Sequence, residues 1–202
     1  MIASRREILA RLAFGASFIP AIARAPGSVL GSLLFDPDAP VVSPKPIPVN
    51  PFTKDGKSLV AIVHGQDVPA MLGEGLRLLG GLDRLPLVGQ RVLLKPNVVN
   101  DRPPPTTTNS AVVGAVASLV RTAGAEEVIV GDSSGIIRFP TSGNLKATGI
   151  QEAAEAAGAR VISFDELTPQ PWVRVEPPGA KALPHFYVSR AAYEADIFIK
   201  RG

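Results

Sequence analysis

Arg91-Val92-Leu93-Leu94-Lys95, the stretch from Ser110 to Ala123, and Glu127-Val128-Ile129-Val130 decide the fold between them. The first and third are short apolar runs with β-branched residues, the pattern of strands buried on both faces. Between them Val112, Val116, Leu119 and Val120 recur at helical spacing, and Gly124 stands where a C-cap belongs. Strand, helix, strand in that order predicts a unit in which a crossover helix joins two parallel strands.

The alternation extends in both directions. Leu59 to Val63 predicts an earlier strand, and Pro69 to Leu82 a helix with Leu72, Leu76 and Leu79 on one face. Downstream, Ile150 to Ala157 predicts a helix, Val161 to Phe164 a strand, Ala191 to Ala195 a short helix and Asp196 to Lys200 a last strand. Trp172 to Val175 and His185 to Val188, separated by Pro177-Pro178-Gly179, predict an antiparallel excursion, with Trp172 and Phe186 packing it onto the sheet. The expected class is α/β: a mostly parallel sheet with helices on both faces and a small antiparallel hairpin. Parallel strands joined by right-handed crossovers all end at one edge, where open α/β sheets bind ligands. The residues delivered there are His64, Lys95, Asp132, Asp165 and Lys200. Two loops leave that edge, Pro96 to Asn109 and Asp132 to about Lys146. Both exceed the roughly 2 to 6 residues usual for such connections, which marks them as functional or disordered.

Before the sheet the sequence has a different character. Ser4-Arg5-Arg6-Glu7-Ile8-Leu9 is similar to a twin-arginine export signal, Leu12 to Ala23 follows as a moderately apolar stretch, and Ala21-Ile22-Ala23 supplies small residues for cleavage. Residues 1–23 are therefore expected to be a signal peptide, with the mature protein in the bacterial periplasm or outside the cell. Residues 24–57 carry Pro26, Pro37, Pro40, Pro44, Pro46, Pro48 and Pro51, which deny backbone donors to regular structure, so an extended tether is expected there. Leu33, Leu34 and Phe35 could pack on the domain that follows, residues 58–202.

Composition narrows the function classes. The chain of 202 residues is 46% hydrophobic and 19% charged, a globular balance. It has no cysteine, so it can ligate no iron–sulfur cluster and form no disulfide. No stretch beyond the signal suggests a stable membrane span. The formal net charge of +3 shrinks beyond residue 23: without Arg5, Arg6, Arg11 and Glu7 there remain 18 basic and 17 acidic side chains, a net +1. A nucleic-acid partner thereby loses its electrostatic argument.

Three constellations can carry chemistry. Lys95-Pro96-Asn97 places an ammonium and an amide at a strand end, able to fix a carboxylate or phosphate. Thr106-Thr107-Thr108-Asn109 opens the strongest helix, where free backbone donors and threonine hydroxyls suit an anion while Thr108 or Asn109 caps. Gly131-Asp132-Ser133-Ser134-Gly135 offers Asp132 as a ligand for a divalent metal, with Ser133 and Ser134 as hydroxyl donors. The last string also fits the G-x-S-x-G of a hydrolase elbow. A long loop follows it instead of a helix, and His185 lies in the hairpin, so a hydrolase is disfavoured. The candidate binding residues are Lys95, Asn97, Thr107, Thr108, Asn109, Ser133 and Ser134, with Asp132 for a metal.

Val92-Leu93-Leu94-Lys95-Pro96-Asn97-Val98-Val99, Pro105-Thr106-Thr107-Thr108-Asn109, Ala123-Gly124-Ala125 and Val128-Ile129-Val130-Gly131-Asp132-Ser133-Ser134-Gly135 together resemble the domain of unknown function 362 family. The likeness continues through Gly149-Ile150, Gly158-Ala159 and Phe164-Asp165, covering about residues 58 to 200. Members of that family are often exported or fused to ferredoxin-like iron–sulfur segments, and their activity is not generally assigned. Against that pattern this sequence lacks cysteine and stops near Asp196-Ile197-Phe198-Ile199-Lys200, where the family continues, so a truncated product is expected. The function expected is an exported domain binding a small anionic or phosphorylated ligand at the strand ends. The alternatives are a noncatalytic module serving a redox or iron–sulfur partner protein, and a nonfunctional gene fragment.

Overall fold

The computed structural model describes residues 39–46, 48–166, 172–181 and 184–200. In chain order the elements are β1 (Val41–Val42), β2 (Thr53–Lys54), β3 (Lys57–Ser58), α1 (Val68–Leu79), β4 (Arg91–Lys95), α2 (Ser110–Thr122), β5 (Glu127–Asp132), α3 (Thr141–Ala147), α4 (Ile150–Ala156), β6 (Arg160–Ser163), β7 (Trp172–Val175), β8 (Phe186–Ser189), α5 (Arg190–Glu194) and β9 (Ile197–Lys200). Single 3-10 turns lie at Leu82–Arg84 and Ile136–Arg138.

The main sheet runs β6-β5-β4-β9 with every pair parallel. The chain starts at β4, moves outward through β5 to β6, then returns to the other side of β4 as β9. Strand order therefore reverses between β4 and β9, the kind of place where doubly wound sheets open a crevice beyond their strand ends.

Side chains alternate across each strand and build two cores. On one face Val92, Leu94, Val128 and Val130 pack against Val113, Ala117 and Val120 of α2 and Ile150 and Ala154 of α4. On the other, Leu93, Ile129, Ile162 and Phe164 meet Ala191 and Ala192 of α5 and the following Ala195. The sheet is thus helix-covered on both sides, as its strand pattern implies. Gly114 lets α2 approach α4: a Cβ there would lie 3.0 Å from the carbonyl oxygen of Ala153.

The hairpin is present as β7 and β8, antiparallel, but its buried apolar side chains are Val173 and Val175; Phe186 is 42% exposed. A further strand joins it from the proline-rich segment. β1 pairs in parallel with β7, Ala39 is buried, the Tyr193 hydroxyl donates to Ser43 O at 2.9 Å, and Lys45 Nζ donates to Ala195 O at 3.1 Å. Residues 39–45 are therefore attached to the domain through a strand and side-chain contacts. The signal-like residues and Leu33 to Phe35 lie outside the described residues.

Three expectations are corrected. Leu59 to Val63 forms no strand: Val60 and Ile62 are 82% and 77% exposed. The place beside β4 that a preceding strand could occupy is filled by β9, and a β-branched run without a partner strand has no ladder to join. His64 follows that segment, is exposed, and is not delivered to the sheet edge. The second long loop is shorter than expected, because α3 occupies Thr141–Ala147.

Candidate functional site

β4 ends where it does because Pro96 has no N–H to continue the ladder. That fixes Lys95 at the strand end with its side chain 28% exposed. Its ammonium pairs with Oδ1 of Asp132, the last residue of the neighbouring β5, whose side chain is only 3% exposed. Asp132 Oδ2 accepts from Val98 N–H at 2.7 Å, and Oδ1 has the ammonium as its single partner among the described residues. A nearly buried carboxylate is thus held by one cation and one backbone donor, and it holds the lysine in return.

The loop from Pro96 to Asn109 is closed at its base by reciprocal bonds. Asn97 N–H donates to Thr108 Oγ1 and Thr108 N–H donates to Asn97 O, both at 2.9 Å. The buried Thr107 hydroxyl donates to Asn100 O at 3.3 Å, and Asn100 Oδ1 accepts from Arg102 N–H at 2.8 Å. Residues 101–106 form the exposed tip. Asn109 caps α2, its Oδ1 accepting from Ala111 N–H at 2.9 Å.

The loop after β5 is pinned to this base. Ser134 Oγ donates to Val98 O at 2.7 Å and accepts from Asn144 Nδ2 at 3.0 Å, while Ser134 N–H donates to Thr141 Oγ1 at 2.8 Å. Thr141 N–H in turn donates to Asp165 Oδ2 at 3.1 Å, and Ser163 Oγ donates to Asp165 Oδ1 at 2.7 Å. Glu166 accepts from the backbone N–H and the hydroxyl of Ser142 at 3.2 and 3.0 Å. The two carboxylates beyond β6 therefore cap the start of α3.

Lys95, Asp132, Asp165 and Lys200 all stand at or just beyond the C-terminal ends of the parallel strands, and Lys95 directly contacts Asp132. Asn97, Thr107, Thr108 and Ser134 shape the loops around that pair: the Thr107 and Ser134 hydroxyls donate to backbone carbonyls, and the Thr108 hydroxyl accepts from Asn97 N–H. Ser133 is half-buried and its hydroxyl has no hydrogen-bond partner among the described residues, while Asn97 Nδ2 donates to Thr106 O at 3.4 Å. Lys200 is the Cα register partner of Lys95 across β4 and β9 and is exposed. His185 stacks edge-on against Tyr187 in the hairpin, with ring centroids 5.7 Å apart. Asn100, Thr141 and Asn144 escape sequence reasoning; the signal for Thr141 is a pair of acidic residues after one strand facing a Thr-Ser helix start, legible only once those elements are known to meet.

The arrangement has defined chemical capacities. Both Asp132 oxygens are engaged, so a divalent cation there would have to displace the Lys95 ammonium. Among the described residues no group of three or more acidic, histidine or cysteine side chains gathers to hold a metal. A partly exposed ammonium with a fixed position suits an oxyanion. A separate open cavity of about 500 Å³, lined by Leu82, Leu85, Leu87 and Val88, lies toward the opposite edge, before β4.

Residues 92–201 match the family model described as Domain of unknown function (DUF362). No curated protein and no solved structure matches the chain.

Proposed function

The chain belongs to the DUF362 family, and from that premise we propose that its strand-end crevice binds a small anionic or phosphorylated ligand in an exported protein. One observation carries this reading. The Lys95 ammonium is held by Asp132 at the end of β4, next to the reversal of strand order between β4 and β9. Lys95 supplies the charge-assisted bond, Asn97 and the Ser133 hydroxyl supply neutral donors, and the Thr107, Thr108 and Ser134 hydroxyls keep the loops in shape. Asn109 sets the start of α2, whose dipole favours negative charge nearby.

A charge-assisted hydrogen bond contributes about 1.5 to 3 kcal/mol, which is roughly 10- to 150-fold in affinity. Titrating inorganic phosphate into the folded wild type and into Lys95→Gln should show binding weakened at least about tenfold in the variant. Equal affinities would remove Lys95 from the site. Repeating the titration with magnesium separates the two roles of Asp132: with the carboxylate committed to Lys95, phosphate affinity should not require the metal, whereas strict metal dependence lost in Asp132→Asn would make it a metal ligand.

Export rests on Arg5 and Arg6. The double change of both to lysine should leave the protein in the cytoplasm with its N-terminus uncleaved, as read by fractionation and N-terminal mass analysis. Unchanged accumulation outside the cytoplasm would overturn the twin-arginine route.

A further inference from the structure

We propose that Lys200 is the second cation of the crevice and makes it select doubly charged oxyanions over singly charged ones. The inference rests on the anion-binding reading above and adds the class of ligand to it.

Lys95 and Lys200 are register partners on adjacent parallel strands, with Val92, Leu93 and Leu94 opposite Ile197, Phe198 and Ile199. Neighbouring strands lie about 4.8 Å apart, and directly opposed residues share one face of a sheet. Two lysines therefore stand at adjacent positions where β4 and β9 end, with the Lys95 ammonium turned toward Asp132 on β5. Their charges are not equivalent. Lys95 is matched by Asp132, so that pair attracts an anion only through local hydrogen bonding. Asp165 and Glu166, the acidic groups just beyond β6, are occupied by Thr141, Ser142 and Ser163. Lys200 is exposed and has no ion-pair partner among the described residues, so its positive charge adds to that of the strand-end edge.

Coulomb energy is linear in ligand charge. Removing one ammonium must therefore cost a dianion twice the free energy it costs a monoanion, and the fold-loss for the dianion is the square of that for the monoanion. The experiment titrates sulfate and formate separately into the full chain at constant ionic strength, following backbone amide shifts, for wild type, Lys200→Gln and Lys200→Arg. Because Lys200 is exposed, these substitutions leave the core untouched. The expected losses for Lys200→Gln are about fivefold for formate and about 25-fold for sulfate, with Lys200→Arg close to wild type.

Losses equal for both anions, or no loss for either, would overturn the role of Lys200 while leaving the Lys95 site standing. A wild type that shifts with neither anion would overturn both. Loss in Lys200→Arg as large as in Lys200→Gln would mean that shape and not charge is read there, and would also overturn the proposal.

Discussion

Lys95→Ala should lower the free energy of unfolding by about 3 kcal/mol, although the side chain it removes is more than a quarter exposed. The cost arises at its partner. Asp132 is 3% exposed and would keep only the Val98 N–H, which leaves a nearly desolvated carboxylate without its cation. For a chain of this length that corresponds to a fall of roughly 6 to 12 °C in Tm. Asp132→Asn in the Lys95→Ala background removes the stranded charge yet keeps an oxygen for Val98, so the double variant should recover about half the loss. A urea-denaturation cycle over the four proteins measures it. A single Lys95→Ala within about 0.5 kcal/mol of wild type would mean that Asp132 reaches solvent and that the pair is a surface ornament.

Gly131→Val should be comparably damaging, for a steric reason. A Cβ on Gly131 would lie 2.7 Å from both Ile162 Cγ1 and Phe164 Cε1 and 3.2 Å from Ile162 O. Those side chains are 7% and 5% exposed and belong to the core under α5, so neither can swing into water. Overpacking of this kind costs about 1 to 3 kcal/mol, and the approach to backbone places valine at the upper end. The strand would shift to relieve it. Asp132 is the next residue, so phosphate binding should weaken as well, even in the fraction that remains folded. Combining Gly131→Val with Phe164→Leu should restore part of the stability by making room, and chemical denaturation of the single and double variants tests that. An unperturbed Gly131→Val would contradict the packing of β5 against Ile162 and Phe164.

The sheet was legible where local pattern and tertiary role agree. Arg91 to Lys95, Ser110 to Ala123 and Glu127 to Val130 carry the periods of buried strands and a half-buried helix, and each forms the element its pattern implies. α3 was not legible, because Thr141-Ser142-Gly143-Asn144 has neither apolar spacing nor propensity; Asp165 and Glu166 hold its first turn from the turn beyond β6. The opposite failure occurs at Leu59 to Val63, where the pattern is right for a strand but β9 takes the neighbouring position. At the site, placing Lys95 and Asp132 on one edge follows from parallel topology alone. That Asp132 spends its charge on Lys95, and that the Thr107, Thr108 and Ser134 hydroxyls face inward, depends on how the loops fold back, which spacing does not encode.

The most direct test of the central claim is to locate a bound anion. Crystals of the full chain grown with selenate, measured at the selenium absorption edge, should show anomalous density within hydrogen-bond distance of Lys95 Nζ, beyond the ends of β4 and β9, and that density should vanish in Lys95→Gln crystals grown under the same conditions. Selenate bound elsewhere while that crevice holds only water, or density at the crevice that persists without the Lys95 ammonium, would contradict the account.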